Sequence, residues 1–219
     1  MLASSIAITN FPLLHFEDKA AFALQCMEDY DIQHLPIVKE DHYIGLISKD
    51  DVLNLDVNQT LIHLADQITR IGILGSMHFT AALNLFSKNE LSLLPILNEQ
   101  QECTGVILQK NLNDILAKFL GVDHPGAIIV LSVSPYQYSL AELSRLVETN
   151  NAQITQLNTN FDEATGSLII TIKLNKDEAD VIIATLQRYN YQILHYFGNT
   201  IMHNDIEDHY HHLMNYLDV

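Results

Sequence analysis

Residues 23–55, ALQCMEDYDIQHLPIVKEDHYIGLISKDDVLNL, return as residues 82–116, ALNLFSKNELSLLPILNEQQECTGVILQKNLNDIL. A duplicated segment of this length constrains the fold more than any single motif, because two copies of one supersecondary unit bury a core by packing together. Ala23, Leu24, Met27, Ile32, Leu35, Pro36 and Ile37 fall on Ala82, Leu83, Phe86, Leu91, Leu94, Pro95 and Ile96, an offset of 59 that becomes 60 at Gly45 and Gly105. The extra residue lies in a polar stretch between Pro and Gly, where a hairpin turn absorbs an insertion without shifting the flanking strands.

Within each copy the apolar residues before the Pro recur at helical spacing, as in Ala20, Leu24, Met27 and in Phe79, Leu83, Phe86. Two short apolar runs follow, HLPIV with YIGLIS and LLPIL with TGVIL, which read as strand pairs. A short helix closes each copy, KDDVLNL or QKNLNDILAKFL. The predicted unit is strand, helix, strand, strand, helix.

A helix, a hydrophobic-Pro-hydrophobic strand, a polar turn and G-x-x-S-x-x-D before a short helix resemble the CBS domain, which occurs in tandem pairs. The resemblance spans roughly residues 1–120 and predicts one repeat over 1–63 and a second over 64–122. It implies a regulatory module whose clefts bind adenosine-containing ligands, with adenine between apolar strand residues, ribose near the Asp and phosphates near the hydroxyl.

Gly45, Ser48 and Asp51 match that pattern in the first copy, whereas the second has Gly105, Leu108 and Asn111. Asn111 can still hydrogen-bond a ribose, but Leu108 offers a phosphate nothing. The first cleft is therefore the expected ligand site, with Leu35, Pro36 and Ile37 as its apolar strand and His34 and Lys49 as nearby cations. Ser48 and Asp51 also have the spacing of a capping box, so both roles stay open. Pro36 and Pro95 mark strand edges or bulges.

Past Leu120 the composition shifts to GVDHPGAII, a linker signature. Beyond it AIIVLSV reads as a strand, SLAELSRLVETN as a helix capped by Ser139 with Glu142, AQITQLNTNF and GSLIITIKL as strands about a turn, KDEADVIIATLQRY as a helix and YQILHYFG as a last strand. This βαββαβ order predicts a ferredoxin-like α+β sandwich over 125–198 and resembles the ACT domain, a regulatory module that pairs sheets between subunits and in some members binds an amino acid. The corresponding loop, SPYQYS, has no Gly to let backbone close on such a ligand. The domain order is similar to that of acetoin-utilisation-type regulatory proteins. The tail, 199–219, is rich in His and Asp. Asp205 with His209 and Asp208 with His212 have chelating spacing, but Ile206, Tyr210, Leu213 and Leu217 make an amphipathic helix docking on a partner the favoured reading.

Charge narrows the function. Eleven Lys and Arg against 27 Asp and Glu give a net charge of -16, which repels nucleic acid and anionic membranes. Two separated cysteines, with no apolar leader or long apolar run, lead to an expectation of free thiols in the cytoplasm. Nucleophile-elbow, P-loop, dinucleotide and zincin patterns are missing, so no catalytic residue, metal ligand or cofactor is assigned. The reading is a mixed α/β, non-catalytic sensor of an adenine nucleotide or adenosyl compound, a homodimer acting on an unknown regulated protein. The rival reading is a protein-interaction module with vestigial clefts.

Overall fold

The structure, a computed structural model, describes residues 1–198. The chain divides into two compact units, Met1–Phe119 and Leu120–Val219. The predicted tail, 199–219, lies outside the described residues.

The first unit contains α1 (Ala20–Tyr30), β1 (His34–Lys39), β2 (His42–Ser48) and α2 (Lys49–Leu53), then β3 (Ile73–Leu74), α3 (Thr80–Lys88), β4 (Leu93–Leu97), β5 (Cys103–Leu108) and α4 (Leu112–Phe119). α1 buries Ala20, Ala23, Cys26 and Met27, one face of a 3.6-residue period. It stops at Asp31, which takes a left-handed conformation and donates its N–H to the carbonyls of Glu28 and Met27. The two hairpins share one register: Leu35 faces Ile47 and Ile37 faces Gly45, as Leu94 faces Ile107 and Ile96 faces Gly105. Each is bulged directly after the Ile. In the first hairpin Glu40 and Asp41 both have positive φ, as a tight two-residue turn requires. The second runs through Asn98 to Gln101, and the inserted residue is absorbed there.

The leading strand of each copy is shorter than the repeat unit predicts, and it is shared. Ile8, ahead of the first copy, exchanges two hydrogen bonds with Val106 of the second, at 2.9 and 3.0 Å. Thr69, ahead of the second copy, exchanges two with Leu46 of the first, at 2.8 and 3.0 Å. Each segment then returns to its own hairpin: Leu14 lies parallel to Ile37, and Ile73 parallel to Ile96. Each hairpin is therefore bridged by the leading segments of both copies. Leu35, Ile37, Leu94, Ile96 and Phe79, all 0% exposed, share one core.

The motif glycines sit where the shared segments cross. A Cβ on Gly45 would collide with the Ile68 side chain and lie 2.9 Å from the carbonyl oxygen of Thr69, and one on Gly105 would lie 2.9 Å from that of Ile8. These carbonyls are fixed by the ladder bonds to Leu46 and Val106 and cannot withdraw.

The second unit contains β6 (Ile128–Val133), α5 (Leu140–Glu148), β7 (Ile154–Asp162), β8 (Ser167–Leu174), α6 (Asp180–Arg188) and β9 (Gln192–Phe197). Its strands pair antiparallel in the order β7-β8-β6-β9, the ferredoxin-like arrangement expected from the element order. Ile129, Leu131, Ile170, Ile172 and Leu174 alternate inward and are fully buried against Leu143, Val147, Ile182 and Leu186 of the helices. Ser139 caps α5 by accepting the Glu142 N–H at 3.3 Å.

Because both collisions are with fixed backbone, Gly45→Ala and Gly105→Ala are each expected to cost about 1–3 kcal/mol or more, the range for overpacking a core. Urea unfolding of each variant against wild type measures this.

Candidate functional site

The end of β2 and the start of α2 carry the motif residues of the first copy. Ser48 takes the extended N-cap conformation and accepts the Asp51 N–H at 3.1 Å, while its own hydroxyl donates to the Asp51 carboxylate at 2.5 Å. Ser48 thus caps the helix as in the first half of a capping box, while the Asp51 carboxylate binds the Ser48 hydroxyl rather than its backbone N–H. Lys49 stands beside them as the first helical residue, its N–H donating to the Gln33 carbonyl at 2.7 Å. Leu35 and Ile37 are 0% exposed and Pro36 is buried, so these three form the wall behind the motif and present no side-chain surface to solvent. Gly45 is occupied with the crossing segment.

His34 joins the copies. Ser92 Oγ accepts the backbone N–H groups of Gln33 at 2.8 Å and His34 at 3.0 Å, and lies 3.2 Å from His34 Nδ1, which also accepts the Ser92 N–H at 3.2 Å. With its lone pairs taken, the Ser92 hydroxyl has its proton free for Nδ1. An unprotonated Nδ1 fits this arrangement and a charged ring does not. Burial accordingly pushes the His34 pKa below 6.5, against the opposing pull of Asp50 and Asp51.

The second copy builds its helix start differently. Leu108 is 4% exposed and turned into the core, and a 3-10 turn, Gln109–Asn111, leads into α4 with no side-chain cap. Lys110 is drawn aside, donating to the Tyr30 carbonyl at 2.6 Å. Beside this turn opens a cleft of about 470 Å³. Asn111, Asp114, Ile115 and Lys118 line one wall, a spacing that puts them on one helical face. Met1, Ser5 and Ile6 line the other. That second wall is held by the Ala3 N–H on the Met77 carbonyl at 2.8 Å and the Ser4 N–H on the Gly75 carbonyl at 3.1 Å. Asn111 therefore sits apart from the first-copy residues, in a cleft shared with the leading segment. Asp114 and Lys118 were missed by sequence reasoning; the signal was helical spacing from Asn111 in the final helix of the repeat.

Residues 3–58 match the model of the CBS domain family. Among the described residues, the first unit holds two copies of one helix, hairpin and helix unit and the second has the ferredoxin-like βαββαβ topology. Among solved structures, a CBS domain pair/ACT domain protein from Thermotoga maritima is 20% identical with a TM-score of 0.49, over 55% of this chain and 99% of that one. A candidate acetoin utilization protein from Vibrio cholerae is 17% identical with a TM-score of 0.48, over 56% of this chain and 95% of that one. A CBS domain pair in complex with 5'-methylthioadenosine and S-adenosyl-L-methionine is 19% identical with a TM-score of 0.46, over 54% of this chain and 98% of that one. Among the described residues no helix is long and apolar enough to cross a membrane.

The lowered pKa of His34 has a signed consequence. The unfolded chain takes up a proton near pH 6.5 and the folded one only further down, so stability is intact above about 6.5 and falls with pH between the two values. His34→Asn, which keeps an acceptor in place of Nδ1 and cannot titrate, is expected to lose less stability than wild type between pH 7.5 and 5.5 in parallel urea titrations.

Proposed function

We propose that this protein is a non-catalytic regulatory sensor that binds an adenine nucleotide or adenosyl compound in the clefts of its CBS pair. The observation carrying this reading is the cleft beside Asn111, where the second copy's motif position meets the leading segment of the first. Its wall combines an amide, a carboxylate and an ammonium with the apolar Ile6 and Ile115. Asn111 offers a donor and an acceptor to ribose or an adenine edge, Asp114 accepts from hydroxyl or amino groups, and Lys118 faces negative charge. A ligand carrying both signs of charge, as an adenosyl amino acid does, suits this set better than a polyphosphate.

In the first copy the same reading assigns Ser48 and Asp51 to phosphate and ribose, with Lys49 and His34 at the rim and Gly45, Leu35, Pro36 and Ile37 behind them. Asp51 must then exchange its bond to Ser48 for one to ligand. The repeats are proposed to divide at 63/64, with the pair ending near residue 122. A homodimer in the cytoplasm, acting on a separate protein, completes the proposal.

One observation favours the rival, a protein-interaction module with vestigial clefts: Ser48 and Asp51 already satisfy one another, and Leu108 has replaced the hydroxyl of the second copy. Calorimetric titration with AMP, ATP and S-adenosylmethionine separates the two. The sensor reading expects binding by at least one of them. Asp51→Ala should weaken a first-cleft ligand by about 1.5–3 kcal/mol, a charged hydrogen bond, and Asn111→Ala a second-cleft ligand by about 0.5–1.5 kcal/mol, a neutral one. Asp51→Ala should also lower stability by about 1 kcal/mol through loss of the cap. No heat with any of the three, in protein freed of carried-over ligand, would leave the interaction module standing.

A further inference from the structure

A second cleft of about 470 Å³ opens in the first unit at the other end of β2, lined by Tyr43, Ile44, Arg70, Gly72, Leu97 and Gln101. Tyr43 lies five residues before Ser48, about 17 Å along an extended strand, so the two positions do not share a ligand. Arg70 is exposed and makes no ion pair with a carboxylate among the described residues, although acidic residues outnumber basic ones 27 to 11 in the chain. The nearby Glu102 carboxylate is engaged, accepting from the Asn98 amide at 2.6 Å.

The walls are fixed before any ligand arrives. The Tyr43 hydroxyl donates to the Ile71 carbonyl at 2.6 Å, and its N–H donates to the Gln101 carbonyl at 2.8 Å. Thr69, next to Arg70, is held by both ladder bonds to Leu46. At Gly72 a Cβ would lie 3.0 Å from Leu97 Cδ1, so the missing side chain keeps the floor open. The cleft is not a product of the duplication either, because Cys103 and Thr104 occupy the places of Tyr43 and Ile44 in the second copy.

The geometry points to a binding site, separate from the motif clefts, for a small organic anion: a carboxylate or phosphate held by the Arg70 fork, on an apolar body lying against Tyr43, Ile44 and Leu97. A guanidinium presents paired donors that match two oxygens of such a group, and Gln101 also lines the cleft. This proposal does not depend on what the motif clefts bind.

The test is a set of amide-resolved NMR titrations of the full chain with benzoate, phenyl phosphate and inorganic phosphate. Benzoate or phenyl phosphate is expected to shift the amides of Tyr43, Gly72 and Gln101 saturably, and the tighter of the two identifies the anion as carboxylate or phosphate. Arg70→Gln should raise Kd by about tenfold or more, Arg70→Lys by less, and Gly72→Val should block the site with Arg70 retained. Arg70 is exposed, so its variants are expected to melt with wild type. The proposal is overturned if neither organic probe shifts these amides at millimolar concentration, if Arg70→Gln binds as wild type does, or if inorganic phosphate binds as tightly as phenyl phosphate.

Discussion

The first unit depends on a reciprocal loan of backbone. Each leading segment donates and accepts one pair of hydrogen bonds on the far copy before joining its own hairpin, through Ile8 with Val106 and Thr69 with Leu46. A strand edge left unpaired at these points would expose or bury unsatisfied N–H and C=O groups. With the exchange made, the two hairpins cannot separate without losing four ladder bonds and the shared core around Phe79. The glycine of each motif follows from this crossing: a Cβ at Gly45 or Gly105 would occupy the space of the neighbour's carbonyl. The same exchange places residues ahead of the first copy, Ser5 and Ile6, in the cleft of the second. Anything bound there touches both copies, which is the physical requirement for a ligand to bias their packing.

The copies share this frame and differ at its working edge. In the first, α2 is five residues long and starts on a reciprocal Ser48–Asp51 cap. In the second, α4 has no such cap, yet it is longer and starts through a 3-10 turn in which the Leu112 N–H donates to the Gln109 carbonyl. Leu108 is free to face the core because the turn has replaced the hydroxyl. Duplication has kept the bonds that hold the frame, such as Lys49 N–H to Gln33 and Gln109 N–H to Ser92, and released the side chains that meet solvent.

Much of this frame was legible in the residues. The offset of 59 that becomes 60 located both hairpins and the turn that takes the insertion, and the alternation in Ser167–Leu174 with a capped helix at Ser139 indicated the ferredoxin-like unit. The exchanged segments were not legible, because isolated bridges at Ile8 and Thr69 leave no periodicity to read. Asn111 was named as a candidate, but the opposite wall of its cleft, Met1, Ser5 and Ile6, was not, because the two walls are far apart in sequence. Ser92 aligned with Gln33 in the repeat, but the two N–H bonds it accepts from Gln33 and His34 depend on the approach of the two copies, which the alignment does not show. Sequence pattern reports burial and period; it does not report which copy a segment rests on.

Charge links the clefts to the rest of the molecule. A net charge of -16 repels anionic ligands at long range, but at physiological salt that field decays over about 8 Å. Inside a cleft the nearest groups decide, and each of the two clefts carries one cationic side chain: Lys118, four residues from Asp114 on the same helical face, and Arg70, which makes no ion pair among the described residues. One lysine beside one carboxylate cannot neutralise several phosphate charges, so a polyphosphate there would meet the carboxylate and the general field without compensation. A ligand carrying both signs would place its cation near Asp114 and its anion near Lys118 at little electrostatic cost. An arginine without an ion-paired carboxylate would suit the opposite partner, a compact anion of low charge. If the proposed sites bind as argued, the acidic surface would act as a filter on ligand charge, and selectivity at each cleft would follow from the carboxylates around its cationic side chain.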